Sequence, residues 1–368
     1  DLARRDFTIN ALAYDVHAQM LIDPLNGQAD LKARQLRAVS EANLRDDPLR
    51  VLRGYRLAAQ LDFEIEPATR ALLVACAPLL DQVSAERVRE ELSALIAAPR
   101  GADWLFAAYR DGALTHWLPE LTAMEAIGAS GYHHLPLIEH TFEVVCQVDR
   151  AVTRQSEGLQ ADLARPVTGM RSVQTLVKWA ALLHDIAKPA TWKVDPETGK
   201  TSFTDHENQG AVMSQSILQR LKFSRDEERW VVALVKHHLR PGGLAAHLPP
   251  SDRAVYRLCR DLGEMLPALL MLALADRYST LGSQVKPTDL ERFDALVGLL
   301  LGRYYAPDDR LAHPVPLLDG HGLMLALGLK PGPQIGKLLT TLQESQALGE
   351  VITREEAITL ARRLIESG

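Results

Sequence analysis

At 368 residues the chain is long for one hydrophobic core, so two or three domains are expected. Hydrophobic residues at 47% and charged residues at 24% fit a globular protein, and a formal net charge of −6 excludes a surface that is basic all over while leaving room for a local basic stripe. Cys76, Cys146 and Cys259 lie too far apart for a disulfide framework or zinc site, no signal peptide is visible, and apolar runs such as Leu266 to Ala275 are too short to cross a bilayer; a cytoplasmic location and no membrane role are expected. In chain order, residues 1–40 mix extended pieces with turns. Met20-Leu21-Ile22 reads as a strand, Asp23-Pro24-Leu25-Asn26-Gly27 as a turn, and Leu36-Arg37-Ala38-Val39 as a second strand. After Asp47 the pattern becomes helical: Pro48 suits a first turn, and Leu49, Leu52, Leu57 and Leu61 recur at helical spacing. Further helices are expected at 67–79, 84–97 (with Ser84 as N-cap), 102–113, 137–155, 172–187, 210–221, 225–238, 251–261, 265–280, 287–303 and 354–366. Glu157 to Gly169 reads as irregular, and Val194 to Lys200 as a polar turn before a short strand or loop.

Two short motifs carry chemistry near the start of the chain. Arg4-Arg5-Asp6-Phe7-Thr8-Ile9-Asn10-Ala11 packs two guanidiniums, a carboxylate, a hydroxyl and an amide into eight residues, the groups needed to grip phosphates and ribose. Asp46-Asp47-Pro48-Leu49-Arg50 places an acid and an arginine three apart, on neighbouring positions if they share one helix, where a carboxylate accepts and a planar guanidinium donates to a base edge. Arg45, Arg50, Arg53 and Arg56 add a basic stripe; an isolated stripe of this kind is usually a solvated helix face. The octet resembles the ribose-recognising motif of the class II tRNA nucleotidyltransferases, the CCA-adding enzymes and bacterial poly(A) polymerases, and the second motif resembles their base-selecting Glu-Asp-x-x-Arg, with Asp46 in place of the usual Glu. Asp23, Gly27 and Asp30 match the family's hinge, and Ser84 to Glu91 resembles its neck helix, a supporting element. The resemblance puts nucleotide binding on Arg4, Arg5, Asp6, Asn10, Asp47, Arg50, Arg53 and Arg56. It implies Mg²⁺ for transfer, but the family's Gly-Gly loop and paired aspartates are not in this sequence; residues 1–40 are therefore expected to be the end of a head, and the chain as it stands to lack transfer activity.

A second centre is expected around Leu182-Leu183-His184-Asp185-Ile186-Ala187-Lys188, an adjacent His-Asp on an apolar helix that is costly to bury without a partner. A lone pair of this kind is more often hydrogen-bonded than metal-bound, but His140, His206, His237-His238 and Asp276 supply further donors. Imidazole with carboxylate suits Mn²⁺, Fe²⁺ or Ni²⁺, and a bridging carboxylate allows two ions. The order resembles the HD phosphohydrolase superfamily, which implies His140, His184, Asp185 and Asp276 as core ligands and His206 with His237 or His238 as the extra pair. It also implies phosphoester hydrolysis, with Lys188 stabilising developing charge. His133, His134, His247, His313 and His321 have no place in the pattern and read as surface or packing residues.

Gly328 to Leu339 places glycine-rich backbone at a helix start, an anion site in waiting or a tight loop between packed helices. It resembles the C-terminal segment of HD-containing tRNA nucleotidyltransferases, which implies tRNA phosphate contacts for Lys330 and Lys337. The expected fold is mainly α: an α/β head remnant (1–40), a helical neck with base recognition and RNA binding (41–125), an HD-type body (130–285) and a helical tail (286–368). The expected function is addition of C, A or both to the tRNA 3′ end, with tRNA, CTP and ATP as partners and the oligomeric state open. The rival is a stand-alone HD-type metal phosphohydrolase or phosphodiesterase.

Overall fold

In the computed structural model, residues 1–130, 133–169 and 171–366 are described. Short strands and many helices follow the hydrophobic periodicity. Near the start, β1 (Ala13–Asp15) and β2 (Met20–Ile22) pair antiparallel, with Tyr14 opposite Leu21. The Asp15 carboxylate accepts from the His17 and Ala18 amides and so closes the turn between them. The hinge residues have structural tasks. Asp23 Oδ1 accepts the Gly27 amide at 2.7 Å at the start of α1 (Gly27–Ala33), and the buried Asp30 accepts Thr8 Oγ1 at 2.6 Å. Gly27 has to be glycine, because an added Cβ would overlap the Thr8 carbonyl.

The expected strand from Leu36 to Val39 is shorter. β3 (Gln35–Leu36) pairs parallel with β4 (Glu64–Ile65), and past it Phe7 bridges Ala38 while the Val39 amide donates to the Asp6 carbonyl at 3.0 Å. This pairing threads the opening octet into the protein. The Asp47–Arg50 stretch also departs from expectation. Instead of one helix there are two, α2 (Glu41–Asp46), capped by Ser40, and α3 (Arg50–Leu61). Pro48 explains the break: the residue before a proline is pushed out of the α region, and Asp47 is extended at φ −139°, ψ 91°.

The rest of the N-terminal part is helical. α3 buries Val51, Leu52, Tyr55, Ala58 and Ala59, and lies against α5 (Ala85–Ala97) and α6 (Gly101–Arg110), with α4 (Pro67–Cys76) beside it. Ser84 does flank α5, but its side chain accepts no capping hydrogen bond. Next come α7 (Leu137–Thr153), α8 (Glu157–Ala164), α9 (Val173–Leu183), α10 (His206–Arg220) and α11 (Arg225–His237). α8 stands where irregular chain was expected: Ser156 caps it, and Leu159 and Leu163, four apart, are buried on one face. α9 ends at Leu183 rather than near 187, and α10 begins at His206, earlier than expected. Between them, Lys193–Val194 and Thr201–Ser202 form a hairpin around the expected polar turn.

Packing divides the chain into two compact units. The first comprises Asp1–His238 with Met271–Val285, the second Leu239–Leu270 with the chain from Lys286 onward. Residues 239–270, read from sequence as part of the HD-type segment, thus pack with the tail. Helices of the second unit include α12 (Asp252–Leu262), α14 (Pro287–Tyr304), α15 (Gly320–Leu327), α16 (Pro333–Ala347) and α17 (Arg354–Glu366), while α13 (Leu266–Ser279) runs through both segments of the chain. A core of Leu318, Leu323, Leu338, Leu342 and Val351 holds the last three. Sequence reading gave no extent for α15 or α16, whose glycine-rich starts hide the apolar spacing. Among the described residues, no helix is long and apolar enough to cross a membrane.

Candidate nucleotide pocket and metal centre

The octet and the Asp47–Arg50 stretch meet in one pocket of about 170 Å³, lined by Arg5, Asp6, Asp47, Leu49, Arg50, Arg53 and Arg87. The break at Pro48 achieves this. Asp47 lies in the joint between two helices and Arg50 on the first turn of the next, so they reach the pocket from different elements. Asp6 anchors it. Its Oδ1 accepts the Phe7 amide at 2.9 Å and Asn10 Nδ2 at 3.0 Å, and its Oδ2 meets Arg53 Nη2 at 2.8 Å. Burial would raise the Asp6 pKa, but hydrogen bonds from Asn10, Arg53 and Phe7 outweigh it and hold the carboxyl below its ordinary range. Arg50 Nη1 donates to the Asn43 carbonyl at 2.9 Å, while Asn43 Nδ2 donates to the carbonyls of Ala3 and Arg5.

Not every expected residue faces this pocket. Arg56 turns to Glu91, with Nε and Oε2 2.5 Å apart; the Asn10 amide is spent on Asp6; Arg4 is exposed and outside the lining. Arg87, on the helix read as mere support, does face it and pairs with Asp47 Oδ2 at 2.8 Å. Its forty-residue separation from Asp47 left no local pattern to read.

The histidines and aspartates converge in the same unit. His140 on α7, His184 and Asp185 just past α9, and Asp276 on α13 form one group. His140 Nε2 is 3.2 Å from Asp276 Oδ1 and 4.0 Å from Asp185 Oδ2, and His184 Nε2 is 3.1 Å from that same Asp185 oxygen. On the other side of Asp185, Oδ1 lies 3.4 Å from His206 Nε2 and 3.9 Å from His238 Nε2. Asp185 therefore belongs to two groups whose donor atoms lie close enough to hold a metal ion, His140–His184–Asp185 and Asp185–His206–His238. Of the two adjacent histidines at the end of α11, either of which the sequence allowed, His238 stands in the cluster and His237 does not.

The imidazoles are oriented by the backbone. Nδ1 of His184, His206 and His238 each lies 2.7 Å from a carbonyl oxygen three residues earlier, on Ala181, Phe203 and Val235. A carbonyl only accepts, so these nitrogens carry the proton and Nε2 turns a lone pair inward. His206 Nε2 and His238 Nε2 then face each other at 3.3 Å, two lone pairs with nothing to share unless a cation stands near. His140 Nε2, His184 Nε2 and Asp276 Oδ1 are buried without a well-formed hydrogen bond, a costly state that a divalent ion relieves. The residues fit the metal.

Burial acts against charge on His184, but Asp185 and Asp276 outweigh it and raise its pKa; burial and the nearby His184 push His238 down to about 4. Asp185 is held well below the carboxylate range, against burial, by His184 and Lys188. The Lys188 ammonium sits 2.6 Å from Asp185 Oδ2. His133, read as having no role, stacks edge-on against His140 with ring centroids 4.6 Å apart, and burial with the His140 and Lys188 charges brings its pKa down to about 4. Lys330 and Lys337 are exposed, before and within the first turns of α16, and the Ile335 amide there is taken by the Gly332 carbonyl.

A pocket of arginines and carboxylates and, in the same unit, a paired histidine–aspartate centre define a helical, nucleotide-handling protein of the HD-domain class. Family models match in the same order: the Poly A polymerase head domain over residues 1–37, the probable RNA and SrmB-binding site of polymerase A over 62–125, and the HD domain over 137–281. An A-adding tRNA nucleotidyltransferase of Deinococcus radiodurans is 40% identical over 372 residues, spanning 100% of this chain and 79% of that protein. A CC-adding tRNA nucleotidyltransferase of Synechocystis sp. is 34% identical, spanning 100% and 76%. The chain belongs to the tRNA nucleotidyltransferase family. Its fold is that of the Bacillus stearothermophilus CCA-adding enzyme solved with CTP (TM-score 0.63, 20% identity, 100% of this chain and 74% of that one). It is also that of the Thermotoga maritima CCA-adding enzyme solved with tRNA (TM-score 0.57, 17% identity, 99% and 73%).

Proposed function

We propose that this protein acts in maturation and repair of the tRNA 3′ end, adding C, A or both, with tRNA, CTP and ATP as partners. The observation that carries the reading is the meeting of Arg5, Asp6, Asp47, Arg50 and Arg53 in one pocket. Asp47 accepts from and Arg50 donates to a base edge, Arg5 and Arg53 hold phosphate or ribose oxygens, and Arg87 fixes the Asp47 carboxylate. Relatives named A-adding and CC-adding support the reaction, and solved relatives complexed with ATP and with CTP support the nucleotides. Mg²⁺ suits the transfer step. Lys330 and Lys337 serve as RNA phosphate contacts, and three free cysteines accord with the cytoplasm. The division into head end (1–40), neck (41–125), body (130–285) and tail (286–368) remains our reading of how these tasks are shared. The test is equilibrium binding of CTP, ATP, GTP and UTP. Arg50→Ala should lose about 1–3 kcal/mol of preference for CTP or ATP over the other two. Unchanged preference removes the pair as the base reader.

The buried unpartnered atoms of the second centre favour an added activity, hydrolysis of phosphoesters. His140, His184, Asp185 and Asp276 would hold one divalent ion and Asp185, His206 and His238 a second, with Mn²⁺, Fe²⁺ or Ni²⁺ best suited to the donors. When bound, the metal supplies electrophilic polarisation of a phosphoryl oxygen. The Lys188 side chain stands beside the reacting centre, and the three backbone-locked imidazoles preserve its geometry without rearrangement.

A further inference from the structure

The second unit holds a cavity that none of the chemistry above uses. It measures about 450 Å³ and is lined by Arg240, on the short helix Arg240–Ala245, and by Arg253 and Arg257 on α12. Arg253 and Arg257 are four residues apart, so they project from one face of α12, and Arg240 meets them from another element. Leu244 and Ala254 add an apolar wall, which strengthens electrostatic interactions inside. Ser251 caps α12 by accepting the Ala254 amide at 3.3 Å, a bond that leaves its hydroxyl hydrogen free to donate.

The guanidiniums are held in place but only partly used. Glu344 on α16 accepts Nε and Nη2 of Arg257 at 3.0 and 2.8 Å and stands 3.0 Å from Arg253 Nε, while Arg240 gives Nη1 to Asp261 at 2.9 Å. Arg260 shares both acids, and Arg253 also reaches Glu350 at 3.2 Å, a half-exposed pair that contributes little. Four arginines against Asp261, Glu344 and Glu350 leave the cluster with a positive charge. Among the described residues, Nη1 of Arg257 and Nε and Nη2 of Arg240 donate to no acceptor. The carboxylates thus fix the planes of the donor forks and leave other edges of them unspent.

We infer that this cavity binds a condensed phosphate, of which inorganic pyrophosphate is the smallest. Planar guanidinium forks match phosphate oxygens two at a time, and three of them here converge on one hollow. No aromatic or amide side chain lines it, so there is no platform for a base and no donor–acceptor pair to read one. The volume lies in the range of small-ligand sites and exceeds what a single phosphate fills. Cations facing one another across a hollow suit a compact polyanion, whereas an RNA backbone is followed by a groove of charge along its length. Pyrophosphate is also what CTP or ATP releases on giving up a nucleotide, although the site itself does not depend on that reaction.

The test is calorimetric titration of the full chain with sodium pyrophosphate in magnesium-free buffer. Arg240→Gln leaves Asp261 with Arg260, and Arg257→Gln leaves Glu344 with Arg253 and Arg260, so neither strands a carboxylate. Together they should weaken pyrophosphate binding at least about tenfold, with helicity and urea midpoint unchanged. Should the pair lose helicity, Arg240→Gln alone should still weaken binding several-fold. Arg5→Ala with Arg50→Ala, which strips two cations from the nucleotide pocket, should leave this binding event in place. Orthophosphate should bind at least about tenfold less tightly than pyrophosphate. Unchanged affinity in folded Arg240→Gln/Arg257→Gln overturns the inference, and so does loss confined to the Arg5/Arg50 variant, which assigns the ion to the nucleotide pocket. A short RNA that displaces pyrophosphate and needs the same two arginines overturns it as well, by making the cavity an RNA contact.

Discussion

Removing Asp185 should empty both metal positions at once, whereas removing the histidines on one side should empty only one. Asp185 Oδ2 lies among His140, His184 and Asp276, and its Oδ1 between His206 and His238. If both sets are filled, elemental analysis of the metal-loaded chain should find about two transition ions per molecule. His206→Ala with His238→Ala should find about one, and Asp185→Ala about none, because the second set loses its only carboxylate and the first the carboxylate that both share. The same ladder should appear in stability. Metal at one hundred times its Kd adds about 2.7 kcal/mol per site that binds only the folded chain. Urea midpoints with and without Mn²⁺ should therefore separate most for the wild-type chain, less for the double histidine variant and not at all for Asp185→Ala. Circular dichroism must first confirm that each variant is helical. An Asp185→Ala chain that still holds an ion, or a His206/His238 variant that holds none, refutes the shared-carboxylate arrangement.

Arg171→Ala should cost about 3 kcal/mol in denaturant unfolding, since it strands Glu227, whose side chain is 1% exposed and paired to Arg171 at 2.5 Å; a loss under about 0.5 kcal/mol would mean that the Ser224 cap alone satisfies that carboxylate. Asp6 predicts a pH signature. Its folded-state pKa is depressed, so its stabilisation is present above the unfolded value and lost as pH falls through the folded one, a window below about pH 4. The stability gap between the wild-type chain and Asp6→Asn should shrink across that window, and a gap independent of pH would contradict the assignment. Gly27→Ala should cost about 1–3 kcal/mol and weaken CTP binding, because the new Cβ displaces Thr8 and with it the octet. Calorimetry that finds CTP affinity untouched would detach the hinge from the pocket.

The histidine–aspartate cluster was legible because its chemistry is conspicuous: an adjacent His-Asp in an apolar run must have a partner, whatever the fold. The choice between His237 and His238 was not, since consecutive residues point about 100° apart and only the packing of α11 decides which faces inward. Asp47 and Arg50 were identified as partners for a mistaken reason. A shared helix face was expected, yet Pro48 breaks the helix and the joint brings them together. Arg87 and His133 escaped because each meets its neighbour, Asp47 or His140, only through the fold, and nothing within a turn of either signals a site. α8 was hidden by its polar surface, which leaves only Leu159 and Leu163 to mark the buried face.

One helix, Ala85–Ala97, deserves a mechanical description. Arg87 reaches Asp47 in the nucleotide pocket, Glu90 holds Arg171, Ser93 accepts the Trp179 indole N–H at 3.2 Å, and the Ile96 carbonyl takes Lys178 at 3.0 Å on the helix that leads to His184. From Arg87 to Ser93 is about 9 Å of rise, so the helix acts as a graduated rod with one mark in each chemistry. Substitutions along it can adjust either end. A single inserted residue would swing everything beyond it by about 100° and throw the two ends out of phase, so lineages carrying both centres should vary this segment in letters and never in length.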